Sequence, residues 1–477
     1  MARRRTLVRG GHVLTMDPEL GELPVGDVLI EDGRIARVAP TLGDVDAEVI
    51  DATGHIVAPG LIDTHRHTWQ TQMRAICADW SLADYVWGIR YSISPAYRAD
   101  DVYLGNRLGA LEALNSGVTT ILDFSHCNNT PEHTDAAIAG LRDAGIRAVF
   151  GYGFFDSSPA APAHFTQHGQ RIAHFHRVAD THFPASVSRS SRSGSASQAD
   201  ELVTLGVALT ELGLVPFEAT AAEVGAARER SALVVAHTGC VWSMPSGVAE
   251  LDAAGLLGPD QVHVHCNTLT DPEWAMLARA GAKVSISVET ELNMGMGRPV
   301  FAACRRHGVK PTLSCDVISL NSGDLLTQLR MGLGFSRWAD TEHLNLAGTD
   351  PEKVTTTALE ALEWSTVNAA DAVGLGEEIG SLRAGKRADL MLVGGPSIAQ
   401  HPHLDAAGTL LFQTTPHDVR TVLVGGRVVK RDGELVGVDL PGLLARTDRS
   451  AEQVLDRVRA AVPRLPPTPP GGLNSMR

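Results

Sequence analysis

The stretch LIDTHRHTWQ, residues 61–70, begins as an apolar strand and ends in two histidines, His65 and His67, that are separated by one residue. Side chains alternate between the two faces of a strand, so both imidazoles point to the same side. Such a pair suits a shared metal ion, but it is also an ordinary polar end of a strand. The pair therefore indicates a site only if other polar groups accompany it.

Seven further runs of strand-forming residues follow this stretch, and helical segments separate them. Two of these segments, ADDVYLGNRLGALEALNSG (99–117) and PEWAMLARAG (272–281), end at glycine, a common C-terminal stop. Eight strands that alternate with helices predict an α/β fold, a (β/α)8 TIM-type barrel. The predicted strands are LIDTH (61–65), VTTILDF (118–124), IRAVFGYGFF (146–155), ELVTLGVAL (201–209), ALVVAH (232–237), QVHVHC (261–266), KVSISVE (283–289) and PTLSCDV (311–317).

Both ends of the chain are rich in short β-forming segments, with Gly and Asp turn signals between them. Residues 5–57 have this character, and so do residues 387–395 and 419–436. The two flanks predict one small β-sandwich domain that is formed by both chain termini. The expected boundaries are 1–57 and 380–436 for the two parts of the sandwich, 58–379 for the barrel, and 437–477 for a C-terminal helical extension with a Pro/Gly-rich tail.

Three other segments have distinct compositions. SVSRSSRSGSAS (186–197) is a low-complexity run of Ser and Arg that predicts a mobile loop, either a plain excursion or a border of the active site. SAEQVLDRVRAAV (450–462) has the pattern of an amphipathic helix that packs on the body or on a second subunit. The tail PRLPPTPPGGLNSMR (463–477) is expected to be poorly ordered, because Pro and Gly dominate it.

The bulk composition narrows the classes of function. The 477 residues carry a formal net charge of −14 with a pI of about 5.7, which argues against nucleic acid as a partner. We find no signal-peptide h-region and no apolar run of about 18 residues, so we expect no membrane partner. The six cysteines are scattered and form no CxxC pair, which predicts a reducing, cytoplasmic setting.

Catalytic groups of such a barrel lie at the C-terminal ends of its strands, and three further polar residues fall there. His237 ends the fifth predicted strand, His265 lies at the end of the sixth, and Asp316 at the end of the eighth. Taken singly, each histidine is more often an ordinary hydrogen-bonded residue, and Asp316 alone would pass for a helix cap. With His65 and His67 they supply the imidazole and carboxylate ligands that zinc or iron accepts. We therefore predict a catalytic metal site.

Three longer motifs resemble the amidohydrolase superfamily of metal-dependent hydrolases, and the resemblance covers nearly the whole chain. They are PGLIDTHRH (59–67), LSCDVISLNSGDLLTQLR (313–330) and IGSLRAGKRADLMLV (379–393). The sequence is most similar to the branch that includes cytosine and guanine deaminases, adenosine-type deaminases and triazine hydrolases. The resemblance implies a small-molecule substrate and a homodimer or homotetramer.

The same resemblance implies a role for each polar residue. One divalent metal ion, Zn²⁺ in the first place with Fe²⁺ as the alternative, would be bound by His65, His67, His237 and Asp316. His265 would contact the attacking water or the substrate instead of the ion. Two-metal members bridge their ions with a carboxylated lysine on the fourth strand. The first lysine of this chain is Lys283, so we predict a single ion.

One position departs from the family pattern. This branch commonly has His-x-x-Glu on the fifth strand, whereas the segment HTGCVW (237–242) has Cys240 at the place of the glutamate. A thiol, with an ordinary pKa of roughly 8.5, is a poor substitute for a carboxylic acid. Two substitutes are Glu289, at the end of the seventh strand, and His126, after the second. Each also has an ordinary structural interpretation: Glu289 as half of an ion pair, and His126 as a donor to a backbone carbonyl.

The residues expected to contact the substrate are His126, Trp69, Gln70 and Cys240. Trp69 and Gln70 directly follow the His65–His67 pair and would present aromatic and amide surface to the pocket. An equally good interpretation is that these two side chains only pack within their loop.

These residues predict a mononuclear metal-dependent hydrolase that attacks an sp² carbon of a small heterocyclic or amide-like substrate with hydroxide supplied by the metal. Asp316 would act as general base, His265 would stabilise the developing charge, and Glu289 would be the candidate proton shuttle. The first hypothesis is C–N hydrolysis, as in a deaminase or aminohydrolase. The second is hydrolysis of a cyclic amide, a carbamate or a C–halogen bond. The third is a catalytically inactive binding subunit, which the complete ligand set argues against.

Overall fold

Two sheets organise the computed structural model, which describes residues 5–155, 163–184 and 202–476. One is a nine-stranded mixed sheet from both ends of the chain, and the other contains eight parallel strands. The strands before the barrel are β1 (Arg5–Leu14), β2 (Glu22–Glu31), β3 (Arg34–Ala39), β4 (Glu48–Asp51) and β5 (His55–Pro59). The barrel strands are β6 (Leu61–Arg66), β7 (Val118–Ser125), β8 (Arg147–Gly153), β9 (Val203–Ala208), β10 (Leu233–Thr238), β11 (Gln261–His265), β12 (Lys283–Ile286) and β13 (Pro311–Leu313). The strands after it are β14 (Leu390–Gly394), β15 (Val419–Val424), β16 (Arg427–Arg431) and β17 (Glu434–Leu435).

The parallel strands confirm the predicted barrel. They are hydrogen-bonded in chain order from β6 to β13. A bridge between Arg66 and Asp316 nearly closes the ring, because Asp316 donates its N–H to the His65 carbonyl at 3.0 Å and the His67 N–H reaches the Asp316 carbonyl at 2.9 Å. Strand β8 (RAVFGYG) is buried along its whole length, which explains its near-continuous apolar run.

Helices cover the barrel and connect its strands. The predicted glycine stop at Gly281 is confirmed: it follows the last turn with φ +69°, a left-handed conformation that glycine adopts without a Cβ clash. The α-helices are α1 (Leu82–Tyr85), α2 (Ala99–Asn115), α3 (Pro131–Ala144), α4 (His168–His182), α5 (Phe217–Glu229), α6 (Val248–Ala253), α7 (Asp271–Ala280), α8 (Val288–Asn293), α9 (Phe301–His307), α10 (Leu325–Leu346), α11 (Ala358–Glu363), α12 (Val367–Ala372), α13 (Ala406–Gly408) and α14 (Leu440–Ala461). Short segments of 3₁₀ or π helix are Thr68–Met73, Val86–Ile93, Ser94–Ala96, Thr409–Gln413 and Gly472–Met476.

The two terminal flanks pair with each other, as predicted, in the mixed sheet. Strand β14 runs antiparallel to β5, and β5 runs parallel to β1, so the C-terminal strands continue the N-terminal ones. The sheet order is β17-β16-β15-β14-β5-β1-β2-β3, with β4 paired to β1. Val8, Ile30, Leu390 and Leu423 are among the buried residues of its apolar core.

A buried ion pair connects the barrel with the mixed sheet. Arg147, the first residue of β8, donates from Nε and Nη2 to the two carboxylate oxygens of Asp389 at 2.7 and 2.9 Å. The Gly425 N–H adds a third hydrogen bond to this carboxylate at 2.7 Å. Both side chains are buried, so the loss of one partner leaves a buried charge without compensation.

We expect the substitution Asp389→Ala to lower the free energy of unfolding by about 3–5 kcal/mol, because Arg147 would stay buried and unpaired. Chemical denaturation measures the loss. The control is Glu48→Ala, which removes an exposed pair with Arg431 in the same sheet and should cost less than about 1 kcal/mol. Equal losses in the two variants would contradict a structural role for the buried pair.

The C-terminal helix α14 packs on the barrel, mainly on α2, and buries Leu443, Val454 and Val458. It begins ten residues earlier than the predicted segment 450–462. In the tail after it, Thr468 donates to Asp84, and the expected poor order of this tail stays a prediction. The predicted loop 186–197 lies outside the described residues. None of the described helices is long and apolar enough to cross a membrane.

Candidate active site

Three histidines and one aspartate converge at the C-terminal end of the barrel. The His65 Nε2 atom lies 3.1 Å from Asp316 Oδ1 and 3.3 Å from His237 Nε2, and the His67 Nε2 atom lies 3.3 Å from the same Asp316 oxygen. Ligands bound tetrahedrally to zinc at about 2.0–2.1 Å are separated by about 3.3 Å. Each of these three distances is the one expected between two ligands of such an ion, and His65 is shared by a group with His67 and Asp316 and a group that contains His237.

Other contacts fix the direction in which each imidazole points. His67 Nδ1 faces the Phe124 carbonyl at 3.2 Å, and His237 Nδ1 faces both carboxylate oxygens of Glu211 at 3.0 and 3.1 Å. An acceptor at Nδ1 holds the proton there and leaves Nε2 as the metal-binding lone pair. Two imidazoles of the cluster are therefore held in the tautomer that suits a metal.

The electrostatics of the cluster agree with this arrangement. Burial lowers the pKa of His65 well below its usual value and also lowers the pKa of His67, so both are neutral, the form that binds metals. Burial alone would raise the pKa of Asp316, but the close approach of His65 and His67 holds this pKa well below the usual range. Asp316 is thus favoured as a carboxylate, the form that binds a metal ion.

His265 differs from the other histidines. Its Nδ1 lies 3.2 Å from Glu291 Oε1, and its Nε2 lies 3.9 Å from Asp316 Oδ2. Burial would lower the pKa of His265, but the hydrogen bond to Glu291 and the Asp316 charge raise it. The nitrogens of His65, His237 and His265 also lie close enough together to share a metal ion. The raised pKa of His265, however, suits a proton donor better than a metal ligand.

Strained backbone occurs at two of these positions. His265, the last residue of β11, has φ +74°, and Asp316, three residues after the end of β13, has φ +58°. The left-handed conformation costs a non-glycine residue roughly 1–2 kcal/mol, so the surrounding structure must enforce it. Such strain is concentrated at functional sites, where it aims side chains that a regular strand could not aim.

A cavity of about 870 Å³, including its open mouth, lies above the cluster. His67, His237, His265 and Asp316 form part of its lining. Much of the remaining wall is apolar or aromatic and includes Leu82, Tyr85, Tyr91, Phe155, Met244 and Met294. A cavity of this composition suits a small aromatic molecule held over a few polar groups.

The structure brings some of the expected substrate contacts to the cavity and not others. His126 and Cys240 line it. Trp69 and Gln70 are fully buried behind the wall, because the chain turns inward at Thr68–Met73. Trp69 donates to His126 Nδ1 at 2.9 Å, and Gln70 donates to the Tyr85 hydroxyl at 2.7 Å. Both therefore support lining residues and do not form the surface themselves.

Glu289 does not reach the cavity. The predicted seventh strand ends at Ile286, and residues 288–293 form helix α8 instead. Residues two apart on a helix point about 200° away from each other, so Glu289 and Glu291 cannot face the same way. Glu289 accepts from Gln328 Nε2 at 2.8 Å, whereas Glu291 is buried against His265. The carboxylate of this segment that contacts a residue of the site is Glu291, which the sequence interpretation missed.

Sequence reasoning also missed Glu211, which lines the cavity beside His237. It lies three residues after the end of β9. The rule that selects polar residues just beyond barrel strands would have found it. Burial raises the pKa of Cys240 further above its usual value, so this thiol is poorly suited to acid–base work. Glu211 is thus a carboxylate of the cavity wall whose two oxygens contact His237 Nδ1.

The sequence matches known proteins over most of its length. A sequence model described as the amidohydrolase family matches residues 56–429. A 5-methylthioadenosine/S-adenosylhomocysteine deaminase of Symbiobacterium thermophilum is 30% identical over 471 residues, covering 94% of this chain and 99% of the relative. A 5'-deoxyadenosine deaminase of Methanosarcina barkeri is 28% identical over 463 residues, covering 95% and 99% of the two chains.

Solved structures share the fold at lower identity. An adenosine deaminase from Xanthomonas campestris with bound zinc superposes with a TM-score of 0.79 at 22% identity, covering 95% of this chain and 98% of that chain. An atrazine chlorohydrolase from Arthrobacter aurescens, complexed with zinc, superposes with a TM-score of 0.80 at 21% identity, covering 94% and 100%. These likenesses support the barrel with its terminal sheet.

Proposed function

The chain belongs to the amidohydrolase family, and from this premise we propose that it is a mononuclear metal-dependent hydrolase that cleaves a C–N bond of a small aminated heterocycle. The observation that carries the proposal is the convergence of His65, His67, His237 and Asp316 on the floor of a largely apolar cavity. The released product would be ammonia or an amine. Relatives that are named as deaminases support this type of bond.

The ligand set is the one implied by the sequence motifs. A divalent ion held by His65, His67, His237 and Asp316 would supply a Lewis acid and a water molecule of lowered pKa. Zn²⁺ fits these nitrogen and oxygen ligands, and two structures with the same fold contain zinc. The chain lacks a lysine before Lys283, so the carboxylated lysine that bridges two ions elsewhere in the family has no counterpart.

Asp316 and His265 would share the proton transfers. Asp316 Oδ1 faces His65 and His67, whereas Oδ2 is turned toward His265 and is available to take a proton from the attacking water. His265, held at Nδ1 by Glu291, would donate from Nε2 to the charge that develops on the substrate. Because Cys240 is no acid, Asp316 would also return the proton to the leaving nitrogen.

Position 240 favours a second candidate, hydrolysis of a C–halogen bond. A halide leaves as an anion and needs no proton, so this reaction is less affected by the replacement of the usual glutamate with Cys240. The fold is shared with an atrazine chlorohydrolase, although at 21% identity. Amine release remains the first candidate, because the more similar relatives are named as deaminases.

A product screen on metal-loaded protein separates the two candidates. The panel comprises aminated purines, pyrimidines and triazines, each with a chlorinated analogue where one exists, and the readouts are free ammonia or amine and free chloride. We expect ammonia or amine from at least one aminated compound. Chloride release alone would favour the second candidate. Neither product from protein that retains its metal would contradict both.

A further inference from the structure

Arg90 is a buried cation in the wall of the cavity. It lies in the helical turn Val86–Ile93, and only 3% of its surface is exposed. Its Cζ lies 4.2 Å from the centre of the Phe155 ring, and both residues line the cavity above the histidine cluster. The guanidinium is therefore placed where a bound small molecule would meet it.

Within the described part of the chain, Nε and Nη2 of Arg90 have no hydrogen-bond partner. The two acids that line the same cavity are engaged elsewhere. Glu211 directs both its oxygens to His237, and Asp316 directs Oδ1 to His65. A buried charge without a hydrogen-bonded partner is expensive, so a group that brings acceptors to Arg90 would be favoured strongly.

Two other buried arginines show what this protein does with a structural cation. Arg66 donates to the carboxylates of Asp63 and Glu112, and Arg147 makes its bidentate pair with Asp389. Each is compensated by acids of the same chain. No described acid accepts a hydrogen bond from Nε or Nη2 of Arg90, although the charge of Glu211 acts on the guanidinium from nearby. Of these three arginines, only Arg90 lines the cavity.

We propose that Arg90 binds a carboxylate on the substrate, so that the substrate class is an aminated aromatic heterocycle that carries a carboxylic acid. Arginine presents parallel N–H donors that match the two oxygens of a carboxylate, and the aromatic faces of Phe155 and Tyr91 suit the attached ring. The identity of the bond that is cleaved rests on the proposed function, whereas recognition of the carboxylate needs no catalysis.

Binding of two simple probes tests this proposal. Benzoate and benzamide have the same ring and nearly the same shape, but only benzoate is an anion. Calorimetric titration into the metal-loaded protein should give at least about tenfold tighter binding of benzoate. Arg90→Met should bind benzoate and benzamide with nearly equal affinity. Arg90→Lys should keep part of the preference for benzoate, because the charge remains but the paired donors do not.

Two controls make the outcome decisive. Metal content per chain is measured for every variant, because a carboxylate could also bind the ion. Arg107→Met, a substitution of an arginine that contacts Tyr103 on α2, should leave the preference unchanged. A preference that survives in Arg90→Met, or a wild-type protein that does not prefer benzoate, would overturn the proposal. Either result would leave the C–N hydrolysis itself to be judged by the product screen.

Discussion

Replacing Asp316 with asparagine is expected to lower turnover by about a thousandfold or more and to weaken metal retention. The carboxylate is in contact with His65 and His67 through one oxygen and is free to move a proton with the other. General base catalysis alone contributes roughly 10²–10⁴-fold, and the loss of a negative ligand adds to this. Turnover and metal content after dialysis are the two measurements.

The control for this substitution is Asp252→Asn on α6, whose carboxylate pairs with Arg279 on the outside of the barrel. It removes the same charge far from the cavity and should keep parental turnover and metal. If Asp316→Asn also retains near-parental turnover with its metal in place, Asp316 is neither the base nor an essential ligand.

The second large effect is expected for Glu211→Gln. Glu211 holds the Nδ1 proton of His237 with a negative charge, which orients the ring and makes Nε2 a stronger ligand. Loss of such a partner typically costs about 10–100-fold in metal affinity or activity. Competition with a chelator of known affinity measures the change in metal affinity directly, independently of turnover.

Glu289→Gln is the matched control, because it removes a half-buried carboxylate that contacts Gln328 and does not line the cavity. Its metal affinity and pH profile should equal those of the parent. If Glu211→Gln bound metal as tightly as Glu289→Gln, Glu211 would not be needed to hold His237 as a metal ligand. A selective loss of activity in Glu289→Gln would restore the original interpretation of Glu289 as the proton shuttle.

The barrel and the convergence of the three histidines with Asp316 could be predicted from the sequence, because each depends on a local pattern. The apolar runs of buried parallel strands are continuous, and parallel strands bring their C-terminal ends to one rim. His65, His67, His237 and Asp316 therefore could be placed together from the strand order alone. The pairing of the terminal flanks was accessible for the same reason, since both flanks carry the short-strand pattern.

The residues just beyond the strands were harder to assign, because their direction depends on tertiary contacts. Glu289 and Glu291 lie in one short segment, and only the start of α8 at Val288 decides which of them faces His265. Trp69 and Gln70 turn inward because their loop is wholly buried. Arg90 carries no sequence signal of its own, as a charged residue in a loop is ordinarily exposed.

The most direct test of the central claim is a crystallographic anomalous difference map, collected at the zinc edge from crystals of the protein prepared with zinc. We expect one strong peak per chain, within bonding distance of the Nε2 atoms of His65, His67 and His237 and of an oxygen of Asp316. A second peak of equal strength in the same site, or a peak that avoids these four side chains, would contradict a mononuclear centre built from them.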